Sequence, residues 1–134
     1  MKIIILAGGL GTRLSEHTKF VPKPMVKIGR YPIIIHIMQH YIKHGFNEFI
    51  IAAGYKAKIL TNYFSGFKRY GLEFEHSIKG KKCNINIVNT GKNTMTGGRI
   101  KRLKNLFKSG DKFMFTYGDG VSDVNLKKLL VFHK

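Results

Sequence analysis

Acidic residues are scarce in this chain: seven Asp and Glu stand against 24 Lys and Arg over 134 residues, a formal charge of +17. A field of that sign draws polyanions, whether nucleic acid, anionic membrane or phosphate-rich small molecules. The basic residues are spread along the chain, with denser spots only at "KGKK" and "GGRIKRLKNLFK", so charge alone selects none of these. Cysteine is nearly absent. The single Cys83 has no partner for an internal disulfide or a zinc site and reads as an ordinary reduced thiol. No apolar run approaches the ~20 residues that a membrane span requires. Residues 3–7 are apolar but too short for a secretory core, and no small-residue cleavage site follows them. A cytoplasmic protein is expected. Repeats, low-complexity tracts and linkers are also lacking.

The hydrophobic share, 43%, is that of an ordinary globular chain, and the length suits one domain spanning residues 1–134. Lys2 to Ala7 reads as a buried strand. Pro32 to His44 reads as a helix, with apolar residues recurring at spacings of four and Gly45 ending it. Further strands are predicted at Glu48–Ala53, Leu72–Ser77, Ile85–Asn89 and Lys112–Tyr117. Helices are predicted at Lys58–Phe67, Gly98–Lys108 and Asn125–Phe132, with Asp123 as the cap of the last. Strands alternating with helices predict a Rossmann-like, mostly parallel α/β sheet flanked by helices. Such sheets bind ligands beyond the carboxyl ends of their strands, where the strand order reverses. The sequence stops inside a helix, which suggests a truncated sheet.

Two glycine-rich turns follow predicted strands. In "GGLGTR", Gly8, Gly9 and Gly11 let backbone N–H groups approach a ligand closely, and Thr12 and Arg13 add a hydroxyl and a guanidinium fork suited to phosphate oxygens. The spacing fits neither a P-loop, which needs G-K-[ST] where Arg13 and Leu14 stand nearby, nor a dinucleotide fingerprint, whose acidic partner is missing beside Ala52-Ala53-Gly54. Lys23 lies in "PKP", where two prolines restrict the backbone and pre-aim its ammonium. In "YGDG", glycines clear space around Asp119, a carboxylate suited to a hard cation such as Mg²⁺ that keeps its waters and shares a nucleotide's phosphates. His36, His40 and His44 recur every four residues, but three histidines strung along three turns cannot converge on one ion. Tyr63, Phe64, Phe67 and Tyr70 read as packing residues, and Glu16, Glu73 and Glu75 as solvated.

Taken together, "LAGGLGTRL", "PKPMVKIG", "PIIIHIM", "TGKNTMTGGRIKR" and "YGDGVSD" resemble the sugar-1-phosphate nucleotidyltransferases. The last two motifs resemble the glucose-1-phosphate cytidylyltransferase branch in particular. The resemblance implies a glycosyltransferase-A-like fold and a Mg²⁺-dependent reaction of CTP with glucose 1-phosphate, giving CDP-glucose and pyrophosphate. It implies that Leu6, Ala7, Gly8, Gly9, Gly11, Thr12, Arg13, Lys23, Thr94, Arg99 and Gly118 bind the nucleotide. Arg13, Lys23 and Asp119 would be the catalytic groups, with Asp119 the metal ligand. Members of the family are longer than this chain, and the second metal-binding aspartate and most of the sugar-binding surface lie in the part beyond it. The sequence therefore leaves open a thymidylyl or uridylyl specificity, a non-catalytic nucleotide-binding fragment, and assembly as a homo-oligomer. Neither a nucleic acid nor a membrane is expected as partner.

Overall fold

The computed structural model describes residues 1–10, 20–65, 68–70 and 73–133, with the side chains of 68–70 and 73–76 left out. Eight strands and four helices are defined among the described residues. The strands are β1 (Lys2–Ala7), β2 (Lys27–Ile28), β3 (Tyr31–Pro32), β4 (Glu48–Ala53), β5 (Lys68–Tyr70), β6 (Glu73–Ile78), β7 (Lys81–Asn89) and β8 (Phe113–Tyr117). The helices are α1 (Ile33–Lys43), α2 (Ala57–Phe64), α3 (Thr96–Arg102) and α4 (Leu126–His133).

The main sheet has the order β5-β6-β7-β4-β1-β8. β7, β4, β1 and β8 run parallel, and β5 and β6 join antiparallel at one edge. Starting from β1, the chain adds β4 and β7 on one side and then returns to place β8 on the other, so the order reverses between β1 and β8. β1 sits at that point because it is apolar on both faces, as a central parallel strand must be; Ile3, Ile4 and Ile5 are completely buried.

One face of β1 and β4 (Ile3, Ile5, Phe49, Ile51) packs against Ile34, Ile37, Met38 and Tyr41 of α1 and Leu60 and Phe64 of α2. The helical period of α1 thus becomes its buried stripe. Its exit is made by Gly45 at φ 90°, a left-handed position that glycine adopts without Cβ strain. The opposite face (Ile4, Leu6, Ile50, Ala52) is covered by Leu103, with Ile100, Leu106 and Phe107 around it. That cover stops short of β8. Phe115 and Tyr117 pair in register with Ile4 and Leu6, so they share that second face, yet they are 52% and 58% exposed.

Several boundaries differ from those the sequence suggests. α3 ends at Arg102 and continues only as a 3-10 turn at Lys104–Leu106, so the apolar stripe expected over Gly98–Lys108 is split between two elements. β7 begins four residues before the expected Ile85, because Lys81–Asn84 pair with β6 across a turn in which Lys79 and Gly80 both have positive φ. That is the backbone twist of a tight hairpin. The last helix is capped by Asn125, whose Oδ1 accepts the Lys128 N–H at 3.0 Å, and not by Asp123: the cap must precede the first helical residue, here Leu126.

Cys83 is 1% exposed, and burial pushes its thiol up to about 11. Because the folded value lies above the unfolded one, the protonated thiol favours the fold. That contribution is complete below about pH 8.5 and is lost as pH rises toward 11. Iodoacetamide at pH 8 should therefore modify Cys83 only as fast as the protein opens. Immediate labelling in native buffer would contradict this packing.

Candidate functional site

The carboxyl ends of β1 and β8 frame a cleft of about 300 Å³, at the point where the strand order reverses. Of the residues singled out in the sequence, Leu6, Ala7, Gly8, Gly9, Lys23, Thr94, Arg99, Gly118 and Asp119 all line it. Gly11, Thr12, Arg13 and Glu16 lie outside the described residues, as do Phe67 and the side chains of Tyr70, Glu73 and Glu75.

Lys23 opens a 3-10 turn, Lys23–Met25, in which the Met25 N–H donates to the Pro22 carbonyl at 2.8 Å. Pro22 and Pro24 are buried, so the "PKP" segment is anchored by its prolines and only the lysine projects. The anchor meets β8 at Gly118, where a Cβ would stand 2.7 Å from Pro24 Cγ and 2.9 Å from the Leu6 carbonyl oxygen. Glycine there lets the end of β8 touch both the end of β1 and the turn that carries Lys23. Across this contact the Lys23 ammonium donates to Asp119 Oδ2 at 3.3 Å. The pair faces the cleft, with the side chains 20% and 40% exposed, so a ligand can reach both charges.

The opposite wall is built around Arg99, which is 4% exposed. Its Nη2 donates to the carbonyls of Gly8 (2.7 Å) and Lys92 (3.3 Å). Its Nη1 donates to the carbonyls of Gly91 (2.7 Å) and Ala53 (3.3 Å) and to Thr90 Oγ1 (2.8 Å). Burial, reinforced by the neighbouring Arg102, lowers its pKa from the usual arginine value, but an arginine remains charged at neutral pH. One guanidinium thus ties together the ends of β1, β4 and β7. Thr90 is the hub of this lock. It is fully buried, donates to the Ala53 carbonyl at 2.7 Å, and its own carbonyl accepts from Thr94 Oγ1 and Arg102 Nη1 at 2.6 Å each.

The sequence reasoning missed Thr90 and Gly54, whose roles depend on partners far along the chain. It also missed Leu10, Met95 and Tyr117, which line the cleft. Their adjacency to the glycine turn, Thr94 and Gly118 was the available signal. The two histidines of α1 and His44 just after it each use a ring nitrogen on a backbone carbonyl: His36 with Ile28, His40 with Val124 and His44 with His40.

A mostly parallel sheet with a glycine-walled, charge-bearing cleft at its switch point defines an α/β domain whose ligand site lies beyond the carboxyl ends of its strands. The chain belongs to the nucleotidyl transferase family, whose profile matches residues 2–134. Over its full length it is 45% identical to the glucose-1-phosphate cytidylyltransferase of Salmonella typhimurium, covering 56% of that protein. It is 38% identical to a probable glucose-1-phosphate cytidylyltransferase of Bacillus subtilis, again covering 56%. The structure of HddC from Yersinia pseudotuberculosis complexed with GMP-PN superposes with a TM-score of 0.77 at 26% identity, over 98% of this chain and 53% of that one. The chain thus spans just over half the length of these three proteins.

Proposed function

We propose that residues 1–134 form the nucleotide-binding portion of a sugar-phosphate nucleotidyltransferase that uses CTP and glucose 1-phosphate. The observation that carries this reading is the convergence of Gly8, Gly9, Lys23, Gly118 and Asp119 on one cleft at the switch point. The two curated cytidylyltransferase relatives support the choice of CTP. In the reaction, an oxygen of the sugar phosphate attacks the α-phosphorus of CTP, the bond to the β-phosphate oxygen breaks, and pyrophosphate leaves. The attacking group is already an anion, so alignment and charge neutralisation suffice. The amides beside Gly8 and Gly9 hold phosphate oxygens, and the Lys23 ammonium offsets charge that builds at the α-phosphoryl group. Arg13 is proposed as a further phosphate ligand on the strength of the sequence motif.

Asp119 suits a magnesium ion. It is an exposed hard oxygen donor at the cleft, and the Lys23 ammonium already stands beside it as a cation. Magnesium is commonly held through one or two carboxylates together with waters and substrate phosphates, and Asp119 would supply one such carboxylate at the cleft. When bound, Mg²⁺ would supply Lewis-acid neutralisation of the phosphates.

A second reading is nucleotide binding without turnover, since Gly8, Gly9 and the Lys23 ammonium can hold phosphate oxygens whether or not transfer follows. Among the described residues no helix is long and apolar enough to cross a membrane. Thermal unfolding with Mg²⁺ and each of CTP, dTTP, UTP, ATP and GTP tests both readings. At ~100 times its Kd, CTP should add roughly 2.7 kcal/mol. Pyrophosphate release then separates catalysis from binding. Equal shifts with all five nucleotides would reject the cytidylyl specificity, and no shift with any would reject the site.

A further inference from the structure

The Gly8 carbonyl accepts two hydrogen bonds, from Arg99 Nη2 at 2.7 Å and from the Tyr55 backbone N–H at 3.2 Å. Arg99 is buried on the opposite wall of the cleft and Tyr55 is half-buried, and Gly8 is buried while Gly9 is exposed at the cleft. The chain has no cis peptide bonds among the described residues. In a planar trans peptide, the C=O of one residue and the N–H of the next point in opposite directions. Fixing the Gly8 oxygen inward therefore turns the Gly9 N–H outward.

From this geometry we infer that Arg99 is a positioning residue: its guanidinium holds the Gly8 carbonyl inward and so aims the Gly9 amide into the cleft as a donor to a phosphate oxygen. The inference rests on the nucleotide reading of this cleft and goes beyond it by giving Arg99 a task other than direct contact with the ligand. The chemistry explains the residue type. Five acceptors on three backbone segments surround the two terminal nitrogens, and a planar fork reaches several of them at once where a lysine offers one nitrogen. It also explains Gly8. A Cβ there would land on the Arg99 guanidinium, so the carbonyl can approach its donor only if the residue has no side chain.

The test uses the ¹⁵N-labelled chain and Arg99→Lys, which keeps the charge but not the fork. Without ligand, the Gly9 and Tyr55 amide resonances should move, and the Tyr55 N–H should exchange with solvent at least tenfold faster. With Mg²⁺, affinity for CTP and for inorganic tripolyphosphate should fall by the same factor, tenfold or more, in a protein that still melts cooperatively. A Gly9 amide unmoved by the substitution overturns the inference whatever the ligand does. So does a CTP affinity within threefold of the parent chain, or a loss confined to CTP, which would assign the guanidinium to the base. If the parent chain binds neither ligand, the nucleotide reading fails, and the unliganded amide comparison still decides whether Arg99 orients Gly9. Should Arg99→Lys not fold, Thr90→Val removes one acceptor and leaves the guanidinium. A threefold loss of affinity with a shifted Gly9 amide supports the inference, and no change in either overturns it.

Discussion

Gly54→Ala should cost about 3–4 kcal/mol of stability and lower the melting temperature by roughly 10 °C, whereas Gly9→Ala should leave it nearly unchanged. A Cβ on Gly54 would stand 2.7 Å from the Gly91 carbonyl oxygen and 2.9 Å from that of Gly8, and would also collide with Arg99 Nη1. Two of these neighbours are backbone, so the clash cannot be relieved by a side-chain rotation. Any relief must draw Arg99 away from the Gly8 and Ala53 carbonyls, whose bonds to it are buried, and each buried acceptor so abandoned costs about 1–3 kcal/mol. At Gly9 no atom of the described residues lies within 4 Å of the added atom. The pair is a controlled comparison: two glycines at neighbouring strand ends, one held by space and one free of it. Equal melting temperatures for the two variants would mean that the strand ends are not packed as described.

Asp119→Asn should have opposite effects with and without metal. In EDTA the variant should bind CTP up to about fivefold more tightly, since removing the carboxylate frees the Lys23 ammonium from its 3.3 Å partner. An ion pair this exposed is worth no more than about 1 kcal/mol, which sets that ceiling. In Mg²⁺ the order should invert, because the amide no longer attracts the ion and the metal-dependent gain disappears. Where the parent chain releases pyrophosphate, the variant should lose a factor of about 10²–10³. Titration calorimetry under both conditions measures the binding terms. Weaker binding of the variant in EDTA would show that Asp119 holds the nucleotide itself and does not restrain Lys23.

The parts of the fold that were legible in the sequence are those whose signal is local. β1, α1 and β4 carry their burial in an unbroken apolar run or a helical period, and the structure places them within about a residue of expectation. The first half of β7 was not legible. In Lys81–Asn84 only Cys83 is buried, so the pairing with β6, set by the turn at Lys79 and Gly80, outweighs a polar composition. The cleft was legible because its glycines, lysine and aspartate sit in short motifs at strand ends. Its lock was not: Arg99 lies 91 residues from Gly8 and 46 from Ala53, and a spacing of that kind has no periodicity to betray it. The same distance hid the meaning of Gly54, whose constraint comes from two other strand ends.

The acceptors around Arg99 are four carbonyls and one hydroxyl, none of which gains or loses a proton in the range where proteins stay folded. The shape of the cradle is therefore indifferent to pH. A lock built from an arginine–carboxylate pair would have tied the form of the cleft to the protonation of its acid.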